Sequence, residues 1–403
     1  MYFMTKDKSE CCGCGLCSRI CRKNAITMQK DACGFYYPVI NETLCADCGL
    51  CKKECIFKKD DSKSMFETEF YAVCNKDASV VKESSSGGMF SLMAEKIFSE
   101  GGVVYGVAYD DAFRVTHKKA ENMSQAQAFR TSKYVQSDFE MVYESVRDDL
   151  AEGKKVLVTG TPCQIKALTN WLQYKKIDIS MLYTCDNICH GVSSPLTFSD
   201  YIASLKKYIP EDDRIVLVNM RYKGENGRKT TLRIKTQNGP IKEVDDYSYH
   251  RFFSNRIGNR PSCFQCPFAD YNRPGDLSVA DFWNFKESDF SFDTSYGVNE
   301  VLVNSEKGKQ LFENICENAD YQKVTKEKAW QPHLEYATQK PSSYDEFWAE
   351  YISSDDREQV FRKYLKVSPL FKIINFAIPI LQKMGLYSLF GKLYRSVFVK
   401  RSK

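Results

Sequence analysis

The chain has 403 residues, of which 43% are hydrophobic and 27% charged, with a formal charge of +5 and 17 cysteines. This is a globular composition, long enough for two or three domains. No run of about 18 apolar residues and no apolar leader is present, so the sequence predicts neither a membrane-spanning helix nor a secretory signal.

The predicted location is therefore the cytoplasm, where so many thiols point to metal sites and not to a disulfide framework. Two dense runs stand at the N-terminus. The first is Cys11-x2-Cys14-x2-Cys17-x3-Cys21, and the second is Cys45-x2-Cys48-x2-Cys51-x3-Cys55. Both have bacterial ferredoxin spacing, in which the fourth cysteine serves the other cluster. The spacing assigns Cys11, Cys14, Cys17 and Cys55 to one [4Fe-4S] cluster and Cys45, Cys48, Cys51 and Cys21 to a second. Zinc fits poorly, because its ligands usually come as two pairs and each run offers a third cysteine. Gly13, Gly15 and Gly49 are expected to let the backbone approach the clusters, and the fourth cysteine to start a short helix. Arg22 and Ile56 stand where ferredoxins usually have proline, which stiffens the turn but ligates nothing. Cys12 and Cys33 read as small buried hydrophobes. A four-iron cluster with four thiolates carries about two negative charges, which offsets the +5 and removes the case for a nucleic-acid partner.

Residues 57–66 are charged and turn-rich, a domain joint. Residues 70–75 then read as a strand, and Phe90, Met93, Ala94, Ile97 and Phe98 mark a helix with Ser86 as N-cap and Gly101–Gly102 as its stop. Strands follow at 103–109, at the start of KKVLVTGTPCQIKAL (154–168) and in ISMLYTCDNICHG (179–191). Helices are expected at 138–151, after Thr161, and from about Pro195 to Tyr208. A hairpin turns about Asn238–Gly239. The expected fold class is an α+β ferredoxin-like two-cluster domain (1–60), a mixed α/β catalytic domain (67–340) and a helical basic C-terminal tail (341–403). The tail is apolar and basic, equally compatible with membrane-surface contact and with packing on its own domain or a partner.

Further cysteines stand singly at predicted strand ends. Loops at the carboxyl ends of neighbouring parallel strands converge, so Cys163, Cys189, Cys263 and Cys266 are expected to hold a third [4Fe-4S] cluster, with Cys185 in reserve. Zinc on these four, or a nucleophilic Cys163 near His190, are the alternatives. Clusters pass single electrons and hydride donors deliver pairs, which calls for a flavin between them. Ser84, Ser85, Ser86, Gly87 and Gly88, opening a helix, offer a pyrophosphate cradle. There is no GxGxxG.

The stretches SSSGGMFSLMAEKIFSEGGVVYGVAY, TSKYVQS, VTGTPCQIKAL, NICHGVSSP and SCFQCPFADYNRPGDLSVADFW resemble the coenzyme F420 hydrogenase/dehydrogenase beta subunit family, in the form with a fused two-cluster ferredoxin domain. The resemblance spans about residues 8–300. It implies a bound FAD beside an iron–sulfur cluster, a flavin role for Ser85, Ser86, Gly87 and Gly88, and a flavin pocket lined by Ser132, Lys133, Tyr134, Thr159, Gly160 and Thr161. One departure is Ala280-Asp281-Phe282-Trp283-Asn284, where the family often has GDFWG. The expected function is a flavin-dependent iron–sulfur oxidoreductase exchanging electrons between a two-electron substrate, such as a deazaflavin, and a redox partner protein or small-molecule electron carrier. An electron-transfer adaptor without flavin is the alternative.

Overall fold

The computed structural model describes residues 2–57, 66–224, 231–283 and 285–365. Between the two cysteine runs, β1 (Ile26–Lys30) and β2 (Tyr36–Ile40) form an antiparallel hairpin. Each run holds one short helix, Leu16–Ile20 or Leu50–Lys53, entered through a left-handed glycine, Gly15 at φ +80° and Gly49 at φ +69°. Those glycines start the helical turn, so the fourth cysteine ends it. Cys21 caps Leu16–Ile20, and Cys55 lies beyond Leu50–Lys53, opposite to the expectation that it would start a helix.

The remaining strands are β3 (Glu69–Asn75), β4 (Val103–Tyr109), β5 (Val115–Ala120), β6 (Val156–Gly160), β7 (Leu182–Asn187), β8 (Ile215–Tyr222), β9 (Thr231–Thr236), β10 (Ile241–Val244), β11 (Leu277–Asp281), β12 (Asn299–Val303) and β13 (Ala319–Val324). Eight of them form one mixed sheet in the order β13-β3-β12-β11-β7-β6-β4-β5. This is the mixed α/β core that the alternating pattern predicts. β4, β6, β7 and β11 pair in parallel. β12 runs against both β11 and β3, so β3 points the same way as those four. Five carboxyl ends therefore share one edge, and the loops at 84–88, 159–163, 188–191 and 281–283 leave from it.

Strand side chains alternate between faces. Val103, Tyr105, Val156, Val158 and Leu182 pack under the helices Val142–Ala151 and Pro162–Tyr174, together with Leu16, Ile20 and Ile56 of the N-terminal segment. Val104, Leu157, Cys185, Leu277 and Val301 pack on the other face, under Met89–Ser99 and Glu306–Ile315. The strands are apolar at nearly every position because both faces are covered.

Three local details differ from the sequence pattern. The helix Met89–Ser99 is capped by Gly88 at φ +83°, and the Ser86 hydroxyl instead donates to the Val298 carbonyl at 2.8 Å. The helix expected from 138 begins at Val142, because Asp138 is drawn into pairing beside β5, its N–H reaching the Val115 carbonyl at 2.8 Å. The helix from Pro195 ends its α-helical part at Ser204 and continues as a 3-10 turn to Tyr208. The expected hairpin joins β9 to β10, and β8, β9 and β10 form a separate antiparallel sheet.

The chain divides into two compact units, 1–354 and 355–403. The first unit takes in the N-terminal segment and runs past 340. It includes the helix Tyr344–Ser353, whose Tyr344 hydroxyl donates to the Asn259 carbonyl at 2.9 Å and whose Phe347 meets Phe252 at 5.4 Å. Of the second unit the helix Arg357–Tyr364 is described. The joint at 58–65 and the tail from 366, with the membrane-surface reading placed on it, lie outside the described residues. No helix among the described residues is long and apolar enough to cross a membrane.

Two expected results arise here. A β-carbon on Gly87 would lie 2.4 Å from the Val73 carbonyl oxygen and 2.8 Å from Asn299 N, both fixed backbone. Gly87→Ala should therefore cost about 1–3 kcal/mol in chemical denaturation. Wild-type stability would show that the loop relaxes freely.

Glu300, on β12, is 1% exposed, and burial raises its carboxyl to about 8 from an ordinary 4.5, only partly opposed by the Gln331 hydrogen bond. The folded chain thus keeps a proton that the unfolded chain releases between 4.5 and about 8, so Glu300's contribution to stability falls as pH rises through that window. Glu300→Gln should flatten this slope, read as denaturation midpoints at about pH 5 and about pH 8. A slope equal to the wild type's would contradict the assignment.

Candidate iron–sulfur and flavin site

Cys163 is the second residue of the helix Pro162–Tyr174, entered through a capping box in which the Gln164 side chain accepts the Thr161 N–H at 3.0 Å. Cys189 follows β7, and Cys263 and Cys266 lie in and just after the 3-10 turn Pro261–Gln265. Three chain segments thus meet at the carboxyl edge. Burial raises Cys189 to about 12, with added repulsion from Cys163 and Cys266. Burial likewise lifts Cys263, helped by Cys189 and Cys266, and lifts Cys266 to about 11, helped by Cys163. These partly buried thiols disfavour one another's ionisation, and a coordinating cation would relieve that by deprotonating them. Among the described residues, no three His, Cys, Asp or Glu side chains are gathered as ligands of a metal ion. A zinc ion draws its sulfurs to about 2.3 Å from one point, whereas a cube spreads them over its corners.

Cys185 belongs elsewhere. It is 2% exposed and packs on the opposite sheet face, and its charged neighbours are Asp186, Asp276 and Arg273, not the other thiols. Strand alternation sends it away from the loop that follows. His190 faces the His333 ring at 4.2 Å and Trp283 at 4.9 Å, while the Cys163 thiol meets the Thr161 hydroxyl at 3.2 Å.

In the N-terminal segment Cys17 is raised by burial, then by Cys11, Cys55 and Cys51. Cys51 is raised by burial, with Cys21 and Cys45 also acting on it. The fourth cysteine of each run is thus electrostatically coupled to the other run. Cys48 is exposed. Cys12 packs in the apolar layer as expected, and its thiol also shares hydrogen bonds with both Cys14 and Cys163. The first run therefore touches the core set directly, a contact that no local spacing announces.

The residues singled out for flavin fall into three groups. Around the loop 84–88, the Ser85 hydroxyl accepts the Ser132 N–H at 3.0 Å, and Tyr134, at φ +53°, places its hydroxyl 2.8 Å from Arg221. Lys133 lies apart. Its ammonium donates to the Ala128 and Thr131 carbonyls, both at 2.6 Å, and burial lowers it to about 7. Thr159, Gly160 and Thr161 stand at the end of β6, where the Thr159 carbonyl is 3.0 Å from the buried His117 ring nitrogen.

Two cations that sequence reasoning missed close on the loop. Arg221 donates to the Ser85 carbonyl at 2.9 Å and pairs with Asp281 at 2.8 Å, and its Nε has no partner among the described residues. Lys223 donates to the Val81 carbonyl at 2.9 Å and the Ser86 carbonyl at 2.6 Å. Both come from the β8 region, where a register shift between Asn219 and Tyr222 turns Arg221 toward the loop. No motif marks them, because the segment carrying them is remote in sequence from the loop.

The family model for the C terminus of the coenzyme F420 hydrogenase/dehydrogenase beta subunit matches residues 153–329, and that of a 4Fe-4S binding domain matches residues 4–27. Residues 153–329 thus match the coenzyme F420 hydrogenase/dehydrogenase beta-subunit family, and the N-terminus carries a ferredoxin motif. The family match contains Cys163, Cys189, Cys263 and Cys266, as well as Arg221 and Lys223. The 4Fe-4S match covers the whole first run and supports at least one such cluster in this chain. Among solved structures, the chain is similar to one from the F420-reducing [NiFe] hydrogenase complex of Methanosarcina barkeri, at 15% identity and TM-score 0.42, covering 63% of this chain and 81% of that one. No curated protein matches significantly.

Proposed function

We propose that this protein is a flavin-dependent iron–sulfur oxidoreductase that relays electrons between a two-electron carrier, with a deazaflavin such as coenzyme F420 the first to test, and a redox partner protein. The observation that carries the reading is the meeting of Cys163, Cys189, Cys263 and Cys266 beside Cys12 and Cys14 of the first run. In this reading Cys163, Cys189, Cys263 and Cys266 hold a core [4Fe-4S] cluster. Cys11, Cys14, Cys17 and Cys55 hold a second, and Cys45, Cys48, Cys51 and Cys21 a third. The contact through Cys12 supports the order core, first run, second run, with exposed Cys48 at the partner's end.

The flavin part rests on the loop 84–88. Ser85, Ser132 and Tyr134 offer hydroxyls there, and Arg221 and Lys223 supply positive charge suited to a pyrophosphate. Gly87 and Gly88 shape the turn, and Thr159, Gly160 and Thr161 line the same sheet edge. Lys133 acts as a buried clamp on backbone carbonyls. Bound FAD supplies the change from two-electron to one-electron chemistry.

A second reading, a cluster-bearing adaptor without flavin, is favoured by the internal bonds already made by Ser86 and Lys133. Anaerobic purification with flavin quantification separates the two. The enzyme reading expects about one FAD per chain and bleaching of the flavin by reduced carrier. Brown, iron-loaded protein without flavin supports the adaptor.

A further inference from the structure

Arg260 is 1% exposed, yet among the described residues no carboxylate pairs with it. The other deeply placed arginines differ, since Arg273 meets Asp186 and Arg221 meets Asp281. The guanidinium of Arg260 is satisfied by neutral groups. Nε donates to the Cys11 carbonyl at 2.7 Å, Nη1 to Gln136 Oε1 at 3.0 Å and Nη2 to the Tyr36 carbonyl at 2.8 Å. Nη2 also reaches Cys11 Sγ at 3.8 Å, and the group lies 4.3 Å from the Tyr37 ring centre. The Cys263 N–H donates to the Arg260 carbonyl at 2.9 Å. Its ionisable neighbours are Cys11, Tyr37, Cys12 and Cys263.

A buried cation without an anion costs several kcal/mol and is rarely retained. Among the described residues, the groups placed to balance it are thiols of the first run on one side and of the core set on the other. The site is built for close approach. A β-carbon on Gly13, at φ +70°, would lie 2.7 Å from the guanidinium, so only glycine lets the first run close over it. Gln136 fixes the arrangement, donating from Nε2 to the Cys12 carbonyl at 3.0 Å while accepting from Arg260.

Resting on the cluster assignment above, we infer that Arg260 is a positioning residue for internal electron transfer, a fixed positive charge in the gap between the core cluster and the first-run cluster that raises the reduction potential of the latter. Reduction makes a cluster more negative, and a cation bonded to one of its sulfurs stabilises that form. The electron that reduces the first-run cluster leaves the core cluster, which is oxidised in the same step, and no proton moves. Burial keeps the charge unscreened by salt.

The test is potentiometric titration of the full chain followed by electron paramagnetic resonance. Arg260→Gln should lower one N-terminal midpoint enough to shift its reduced-to-oxidised ratio about tenfold, about 59 mV for a one-electron couple. Arg260→Lys, which keeps the charge, should hold it within about threefold. A fully iron-loaded Arg260→Gln protein with the wild-type midpoint overturns the inference, as does an equal shift in Arg260→Lys. Should Arg260→Gln fail to load iron, pulsed resonance of wild-type protein labelled with nitrogen-15 arginine decides. A guanidinium hyperfine coupling on a reduced cluster is expected, and its absence overturns the inference. Wild-type protein without iron would instead sink the cluster assignment itself.

Discussion

Cys263→Ser should lower the iron content from about twelve to about eight atoms per chain, in keeping with four irons per cluster. Serine keeps the size of the side chain but offers a poor ligand to a soft site. Cys263 is set by the 3-10 turn Pro261–Gln265 and by its N–H bond to the Arg260 carbonyl, neither of which needs the sulfur. The fold should therefore survive, and the eight cysteines of the two runs should keep their irons. In the proposed relay, reduction of those clusters by the two-electron carrier should fall by at least about tenfold, because the core cluster would link flavin to first run. Cys185→Ser serves as the contrast. It lies on the other sheet face, so iron should stay at the wild-type level. Iron and acid-labile sulfide assays check both.

Asp186→Ala should destabilise the chain by about 3–5 kcal/mol, the cost of breaking a buried ion pair from one side. Asp186 is 0% exposed and accepts from Arg273 Nε at 3.1 Å and from Gly275 N at 2.9 Å. Arg273 also donates to the Phe268 carbonyl at 2.7 Å and the Asn187 carbonyl at 2.8 Å. Phe268 follows Cys266 and Asn187 precedes Cys189, so this pair ties two of the cysteine-bearing loops together. Removing the carboxylate leaves a buried guanidinium without its counter-charge and loosens both loops. Denaturation midpoints read the stability, and core iron should fall with it. A loss below about 1 kcal/mol would place the pair among those that contribute little.

Much of this was legible in the sequence because the signals were local. The apolar run at 103–109 became a strand with the expected bounds, the stretch 154–168 opens with a strand as expected, and Gly101 at φ +72° follows the end of its helix. The approach of the segments carrying Cys163, Cys189, Cys263 and Cys266 agrees with the rule that loops at strand ends converge. The missing parts were set by tertiary partners. Ser86 looked like a cap until Val298 claimed its hydroxyl. Asp138 looked helical until β5 claimed its backbone. Lys133 carries an ammonium that donates to two backbone carbonyls, partners that no local pattern announces. Arg221, Lys223 and Arg260 carry no motif, since their roles depend on residues about 85 to 250 positions away.

The most direct test is Mössbauer spectroscopy with total metal analysis on anaerobically purified, iron-57-loaded chain. Three clusters predict about twelve irons per chain, all with the signature of [4Fe-4S] cubes and matched by equal sulfide. Zinc as the bound metal, or iron without sulfide, would contradict the account at its root.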